Sequence, residues 1–300
     1  MMTISTLKYK SVVLPNGETI AFQEREGGEK KVLLVHGNMT SSKHWDLVLE
    51  NMDAQYKLYA IDMRGFGKSS YRNEIRSIKD FSDDIKAFVD LIGLKGFSMI
   101  GWSTGGAVAM QFIAENPGYC EKLVLLASAS TRGYPFYGST EEGLPDIKRR
   151  LTTYEDIKNE PSKTIPIQHA YDTEDRKFLK DVWNALIYTK NQPNEELYEE
   201  YVDDMLTQKN LAEVYHALNT FNISNKHNGL NEGNGLVQNI KLPVLVLRGD
   251  RDFVVSDQMT KEIVEDLGEY ARFVELEDCG HSPLIDDLQK LLNTITRFLG

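Results

Sequence analysis

The sequence has few cysteines, little basic charge and no long apolar run. Its two cysteines, Cys120 and Cys279, match no metal-ligand spacing, and a reduced cytoplasmic protein is the simplest interpretation, although a disulfide between them is compatible with the sequence. Acidic residues outnumber basic ones by 45 to 34. Because nucleic acids and anionic membranes bind basic surfaces, neither is expected as the main partner. No segment reaches the roughly 18 unbroken apolar residues of a membrane span.

The amino terminus also lacks a targeting pattern. Residues 1–8 contain no basic stretch followed by a long apolar run, so we expect no secretory signal and a cytoplasmic location. The 300 residues, 41% of them hydrophobic and 26% charged, have the composition of an ordinary globular protein of one large domain or two modest ones. The sequence allows either a monomer or a homodimer.

Short apolar runs recur along the chain and predict strands. Residues 11–14 and 19–22 flank an Asn-Gly turn, which is typical of a β-hairpin. Six further runs alternate with helical patterns and follow at residues 32–35, 59–61, 97–100, 123–126, 244–247 and 273–276. This alternation predicts an α/β fold, a mostly parallel eight-stranded sheet with helices on both faces and the hairpin as an antiparallel edge.

The strand rhythm stops between residues 132 and 236. Apolar residues there recur at helical spacing, for example at Phe178, Val182 and Leu186. We therefore expect a helical lid at residues 132–236, inserted between the sixth and seventh strands of a core formed by residues 1–131 and 237–300. The glycine-rich stretch at residues 231–235 is a candidate hinge for this lid.

A candidate nucleophile follows the strand at residues 97–100. Residues 101–106 read Gly-Trp-Ser-Thr-Gly-Gly, and a small-residue helix follows. This pattern places Ser103 on a sharp strand-to-helix turn, where the flanking glycines leave room for the backbone. The amino terminus of the following helix directs free N–H groups towards any negative charge that forms there.

A serine nucleophile needs a base, and the best candidate among six histidines is His281. It lies just after the last strand, before a Ser-Pro pair that is typical of a helix start. Ligands collect at the carboxyl ends of parallel strands, so this loop can reach Ser103. We interpret His36 as a loop-orienting residue. The remaining histidines are expected on the surface or in the lid; they are His44, His169, His216 and His227.

A carboxylate must hold the histidine in the correct tautomer. Asp250 and Asp252 both follow the strand at residues 244–247, and position alone does not separate them.

Together these motifs resemble the capped α/β-hydrolase superfamily. The matching motifs lie in the expected order between residues 31 and 300: His36-Gly37, residues 62–69, the serine turn, Gly249-x-x-Asp252 and Gly280-His281. Within that superfamily the chain is most similar to bacterial intracellular carboxylesterases and small-molecule lactonases. The resemblance implies the order Ser103, Asp252, His281 for the catalytic residues, with Asp250 as a turn former.

The oxyanion hole is expected from two backbone N–H groups. One belongs to Thr104, the residue after the nucleophile, and matching the His-Gly-x pattern assigns the other to Asn38. Residues 37–40 depart from the Gly-Gly-Gly form of this loop found in members that accept tertiary esters, which argues against such substrates.

Neither a cofactor nor a metal site is expected. The histidines form no ligand cluster. The glycine-bearing residues 62–69 lack the ending of a nucleotide loop, so we interpret them as a structural turn with an Asp–Arg pair. Four aromatic residues are candidates for the substrate pocket: Trp102, Tyr134, Phe136 and Trp183. Tyr134 and Phe136 fit an acyl channel or the root of the lid equally well.

The motifs predict a serine hydrolase that cleaves small to medium carboxylic esters through an acyl-enzyme. Lactonases, including those for acylhomoserine lactones, and carbon–carbon bond hydrolases use the same groups. A slowly turning-over small-molecule receptor is a further alternative. Epoxide hydrolases and dehalogenases are disfavoured, because they carry aspartate where Ser103 stands.

Overall fold

Strands and helices alternate along the chain, as the apolar pattern predicts. The computed structural model describes residues 7–300, so residues 1–6 of the stretch inspected for a secretory signal lie outside the described residues. The strands are β1 (Leu7–Val13), β2 (Thr19–Arg25), β3 (Lys30–Val35), β4 (Tyr56–Ile61), β5 (Phe97–Trp102), β6 (Cys120–Leu126), β7 (Tyr137–Ser139), β8 (Pro145–Arg150), β9 (Val244–Gly249) and β10 (Ala271–Leu276). The helices are α1 (Asp46–Asn51), α2 (Ile78–Leu91), α3 (Thr104–Glu115), α4 (Tyr154–Lys158), α5 (Thr164–Thr173), α6 (Arg176–Leu186), α7 (Glu195–Met205), α8 (Leu211–Thr220), α9 (Asp257–Leu267), α10 (Pro283–Asp286) and α11 (Leu288–Leu299).

Eight strands form one twisted sheet in the order β1-β2-β4-β3-β5-β6-β9-β10. Strands β3, β4, β5, β6, β9 and β10 are mutually parallel, whereas β2 runs antiparallel to both β1 and β4. The predicted eight-stranded, mostly parallel sheet with an antiparallel hairpin at one edge is confirmed. Its parallel arrangement brings the ends of β3, β5, β6 and β9 to one edge, where the candidate site lies.

Strand β3 shows how one buried strand supplies two layers of the core. Leu33 and Val35 pack on the face covered by α2 and α3, whereas Val32 and Leu34 pack on the face covered by α1 and α11. All four are at most 1% exposed. Successive side chains of a strand point to opposite faces, so a strand between two helical layers is apolar throughout.

The segment between β6 and β9 contains five helices, α4 to α8, and a hairpin that the sequence pattern does not predict. In this hairpin β7 pairs antiparallel with β8. Strand β8 lacks alternating apolar residues, and its one such residue, Ile147, is 74% exposed. Backbone hydrogen bonding rather than burial therefore forms the strand. The treatment of residues 132–236 as a separate lid stays a prediction. Within residues 7–300, no helix is long and apolar enough to cross a membrane.

Candidate active site

Ser103 lies between β5 and α3 in a strained conformation. Its φ of 55° and ψ of −117° fall outside the regions that residues with a side chain ordinarily occupy. A Cβ on Gly101 would lie 2.4 Å from the carbonyl oxygen of Gly105, and one on Gly105 would lie 2.2 Å from that of Val35. Only glycine therefore allows the helix to approach β3 and β5 this closely, and this approach exposes Ser103 at the sheet edge.

His281 contacts Asp252 through one ring nitrogen. Its Nδ1 lies 3.0 Å from Oδ2 and 3.1 Å from Oδ1 of Asp252. Asp252 Oδ1 also accepts the N–H groups of Val254 at 2.8 Å and Val255 at 2.9 Å. Burial alone would raise the pKa of Asp252, but the adjacent imidazole and these hydrogen bonds hold it below its ordinary value. The buried carboxylate is therefore ionised and oriented towards His281.

Asp250 lies in the same loop but contacts the backbone near His281. Its Oδ1 accepts the N–H of Cys279 at 3.2 Å, and the N–H of Arg251 donates to the Cys279 carbonyl at 3.0 Å. A Cβ on Gly249 would lie 2.1 Å from that carbonyl oxygen, so glycine is required where the two loops cross. These contacts fasten the loop that carries Asp252 to the loop that carries His281.

Trp102 holds the His281 loop from the other side. Its indole Nε1 donates to the backbone carbonyl of His281 at 2.9 Å, and the two rings lie 5.9 Å apart. The residue before the serine therefore positions the backbone of the histidine, a contact that its place in the Gly-Trp-Ser motif does not reveal.

Asn38 and Thr104 both line the cavity that Ser103 faces. Thr104 is the first residue of α3, where helix N–H groups have no acceptor inside the helix. The backbone N–H of Asn38 likewise has no acceptor within residues 7–300. Two residues whose backbone N–H groups are free to donate thus border the same cavity as Ser103.

His36 fixes the loop that carries Asn38. Its Nε2 accepts the N–H of Met63 at 2.9 Å, and its Nδ1 lies 2.7 Å from the carbonyl oxygen of Gly37. The neutral tautomer with the proton on Nδ1 satisfies both contacts. Burial lowers the pKa of His36 to about 4, so the ring stays neutral near pH 7. The predicted loop-orienting role has this geometric basis.

Gln208, between α7 and α8, is a site residue that the sequence patterns miss. Its Oε1 accepts the N–H of Met39 at 3.1 Å and the hydroxyl of Tyr171 at 3.1 Å, and its Nε2 donates to Asn38 Oδ1 at 2.7 Å. A buried glutamine therefore holds the Asn38 loop from the segment after β6. A lone glutamine in a polar stretch carries no sequence signal for this role.

A cavity of about 1030 Å³ joins these groups. Ser103 and His281 lie on its wall, together with the predicted pocket residues Trp102, Tyr134, Phe136 and Trp183. Further apolar residues that were not predicted also line it, among them Met39, Ile167, Phe178, Val182, Leu186 and Leu218. A mostly apolar cavity with a few polar groups is typical of a small-molecule site.

One histidine expectation is wrong. His44 is buried rather than on the surface or in the lid, because the short 3₁₀ helix Ser42–Trp45 that carries it packs against α7 of the inserted segment. Its Nδ1 lies 3.0 Å from Asp204 Oδ2, and its ring stacks on Tyr201 at 4.1 Å. His169 and His227 are exposed and His216 is half-buried.

The prediction of an Asp–Arg pair within residues 62–69 is also wrong. Asp62 instead accepts the backbone N–H groups of Ser42 and Lys68, each at 2.9 Å. Arg64 pairs with Asp84 of α2, its Nε lying 2.7 Å from Oδ2. The carboxylate of Asp62 thus closes the turn, and the guanidinium reaches a neighbouring helix.

No group of three or more histidine, cysteine, aspartate or glutamate side chains in the described part of the chain is placed to hold a metal ion. Cys120 and Cys279 are both free thiols and both buried. Cys120 starts β6 and Cys279 lies in the His281 loop, and the two belong to different clusters of the hydrophobic core.

Comparisons with known proteins agree with this architecture. The chain is 25% identical over 305 residues to a 2-hydroxy-6-oxononadienedioate/2-hydroxy-6-oxononatrienedioate hydrolase from Paraburkholderia phymatum, covering 99% of this chain and 96% of that one. It is 25% identical over 238 residues to the bifunctional esterase/perhydrolase DCH of Acinetobacter calcoaceticus, covering 77% and 78%. The solved structure of an esterase from Exiguobacterium antarcticum superimposes with a TM-score of 0.74 at 16% identity, covering 97% and 99%. A sequence profile for the α/β-hydrolase fold matches residues 30–288, and the chain therefore belongs to the α/β-hydrolase family.

Proposed function

We propose that this hydrolase is a serine carboxylesterase that works through an acyl-enzyme. One observation carries the proposal: strained Ser103, the His281 that contacts Asp252, and the two residues that supply backbone donors all border one cavity. Nucleophile, base, orienting carboxylate and oxyanion donors are the parts that acyl transfer requires.

Each group has a defined task in the proposed reaction. His281 Nε2 takes the Ser103 proton while the hydroxyl oxygen attacks the ester carbonyl. The N–H groups of Asn38 and Thr104 stabilise the oxyanion, each contributing about 3 kcal/mol to the transition state. His281 then protonates the departing alcohol, and water attacks the acyl group with His281 again as base. Asp252 stabilises the imidazolium form of His281 throughout.

The large apolar cavity supports small to medium acyl esters as substrates, and the Acinetobacter relative is by name an esterase. Trp102, Tyr134, Phe136 and Trp183 would contact the substrate. Lactone opening, including that of acylhomoserine lactones, needs the same groups. We further propose a cytoplasmic location and no cofactor.

Hydrolysis of a carbon–carbon bond is the second candidate. The Paraburkholderia relative covers nearly the whole chain, and the substrate in its name contains no ester bond. The same nucleophile, base and oxyanion donors can serve that reaction, so substrate comparison must separate the two.

The test compares wild type, Ser103→Ala and Ser162→Ala on p-nitrophenyl acetate, butyrate and octanoate, with an acylhomoserine lactone alongside. Ser162 also lines the cavity but on the inserted segment, so its variant controls for loss of a cavity hydroxyl. We expect Ser103→Ala to lose ester turnover and fluorophosphonate labelling while Ser162→Ala keeps both. Full esterase turnover by Ser103→Ala would overturn the proposal. Strong lactone opening with weak ester cleavage would reassign the enzyme as a lactonase.

A further inference from the structure

The cavity wall carries cationic side chains that no neighbouring carboxylate neutralises. Its charged residues include Arg132, Arg150, Lys163 and Glu262. The positive charge of Arg132 is neutralised, because its guanidinium lies 2.7 Å from Asp266 and 4.0 Å from Glu262. Arg150 and Lys163 have no carboxylate oxygen within 4 Å among residues 7–300. In a protein of net charge −11, two such cations on one cavity are a local exception.

Arg150 ends β8 and is held entirely by neutral acceptors. Its Nε donates to Asn219 Oδ1 at 3.0 Å, one terminal nitrogen donates to the Asn219 carbonyl at 2.7 Å, and the other to the carbonyl of Asn228. A guanidinium has five N–H donors, so two stay available. Burial lowers the pKa of Arg150 from its ordinary value, as expected for a cation without a counter-ion.

Lys163 precedes α5 and is half-buried. Its Nζ donates to the carbonyl of Tyr137 at 3.1 Å and lies 4.9 Å from the ring centroid of Phe136. Burial lowers its pKa, and Glu160 acts against this from a distance. The carboxylate of Glu160 is itself occupied, because it accepts the hydroxyl of Ser139 at 2.5 Å and the backbone N–H of Lys163 at 2.6 Å.

The hairpin connects the two cations through one residue. Tyr137 of β7 is the direct partner of Arg150 in β8, and the same Tyr137 accepts from Lys163. Both cations therefore belong to the inserted segment, are connected through Tyr137 and line the cavity that Ser103 also lines. A bound anion there would gain charge-assisted hydrogen bonds to groups that now donate only to neutral oxygens.

We propose that Arg150 and Lys163 form a subsite for a carboxylate on the substrate, remote from the carbonyl that Ser103 attacks. This inference rests on the proposed function and narrows it: the preferred substrate is an ester whose acyl or alcohol part carries a carboxylate. An apolar spacer between the two functional groups fits the mostly apolar lining of the cavity.

The test measures kcat/KM on three esters. p-Nitrophenyl hexanoate is neutral, the p-nitrophenyl monoester of adipic acid carries the carboxylate on the acyl side, and the hexanoate ester of 4-hydroxybenzoate carries it on the alcohol side. We expect Arg150→Gln and Lys163→Gln each to lower kcat/KM about tenfold for one of the anionic esters and to leave the neutral ester unchanged. The ester affected identifies the side of the substrate that reaches the subsite.

Matched variants separate charge from structure. Lys148→Gln removes an exposed cation of the same strand that does not line the cavity, and it should leave the ratio of anionic to neutral kcat/KM unchanged. Arg150→Lys keeps the charge and should retain most of the preference. If Arg150→Gln misfolds, Lys163→Gln provides the same comparison. An unchanged ratio for both anionic esters in Arg150→Gln and Lys163→Gln would overturn the subsite.

A binding measurement distinguishes failure of the subsite from failure of the proposed esterase. Isothermal titration calorimetry should detect adipate binding to wild type, and Lys163→Gln should weaken its affinity about tenfold. No detectable binding to wild type would overturn the subsite. If no ester is turned over but this difference persists, the subsite stands and the esterase proposal fails. Equal adipate affinity in wild type and Lys163→Gln would overturn the subsite whatever the esterase result.

Discussion

Replacement of Asp252 by asparagine tests the proposed site most directly, because the structure dictates which way the new amide must point. Oδ1 of Asp252 accepts two backbone N–H groups, from Val254 and Val255. An asparagine must keep its carbonyl oxygen there, since its NH₂ group would oppose both donors. The NH₂ group then occupies the position of Oδ2, which lies 3.0 Å from Nδ1 of His281.

This orientation favours the tautomer of His281 that cannot act as the base. Nδ1 of His281 lies 3.1 Å from Oδ1, but that oxygen already accepts two backbone N–H groups; we therefore expect Nδ1 to accept from the nearer amide NH₂, which moves the imidazole proton to Nε2. Nε2 is the nitrogen that has to take the Ser103 proton, and it cannot do so while protonated. The same substitution in a Ser-His-Asp site costs about 10⁴-fold in kcat, or about 5.5 kcal/mol. We expect Asp252→Asn to lose kcat by 10³- to 10⁴-fold on this scale, about 4 to 5.5 kcal/mol.

The assay is single-turnover acylation by p-nitrophenyl butyrate, with Asp250→Asn as the control. Asparagine at position 250 can still accept the N–H of Cys279, so its acylation rate should stay within about twofold of wild type. Thermal unfolding of both variants verifies that each is folded. A large loss in Asp250→Asn together with near-normal acylation by Asp252→Asn would refute the reasoning and exchange the two roles.

Two further predictions concern the loop that carries Asn38. Burial lowers the pKa of His36 to about 4, whereas an unfolded histidine titrates near pH 6.5, so the folded state binds fewer protons between these values. Stability should therefore fall by about 3 kcal/mol as the pH drops from about 7 to 4, and urea titrations should show a shallower decline for His36→Gln. Gln208→Leu removes both contacts from Gln208 to the Asn38 loop and should lower kcat about tenfold with little change in KM, because the oxyanion donor loses its position. The exposed Gln168→Leu is its control, and a change confined to KM would contradict the positioning role.

The fold was predictable because its signals are local. Residues 32–35 are apolar throughout because both faces of β3 are buried, so four consecutive residues suffice to indicate the buried strand. Gly101 and Gly105 are needed because a Cβ at either position meets a backbone oxygen, so the serine turn also leaves a short, readable pattern. The family resemblance joins these local patterns into one order along the chain.

The surroundings of Ser103 were less predictable, because their residues meet across long sequence separations. Asp250 and Asp252 are equivalent by position, and only the crossing of two loops places Asp252 rather than Asp250 against His281. Gln208 lies 170 positions from Asn38 and belongs to no motif. The prediction for His44 was wrong for the same reason, since the helices that cover this residue come from the inserted segment.

By itself, the sequence determined the sheet, its strand order along the chain and the turn that presents Ser103, since periodic burial and backbone sterics act between neighbouring residues. Tertiary structure alone decided the β7–β8 hairpin, the contacts of Gln208 and the placement of both Arg150 and Lys163 on one cavity wall. Those features depend on the packing of segments that are distant in sequence. The local sequence around a polar residue does not indicate which partner it contacts in the fold. The cavity is accordingly where residues that look unremarkable in sequence acquire their roles.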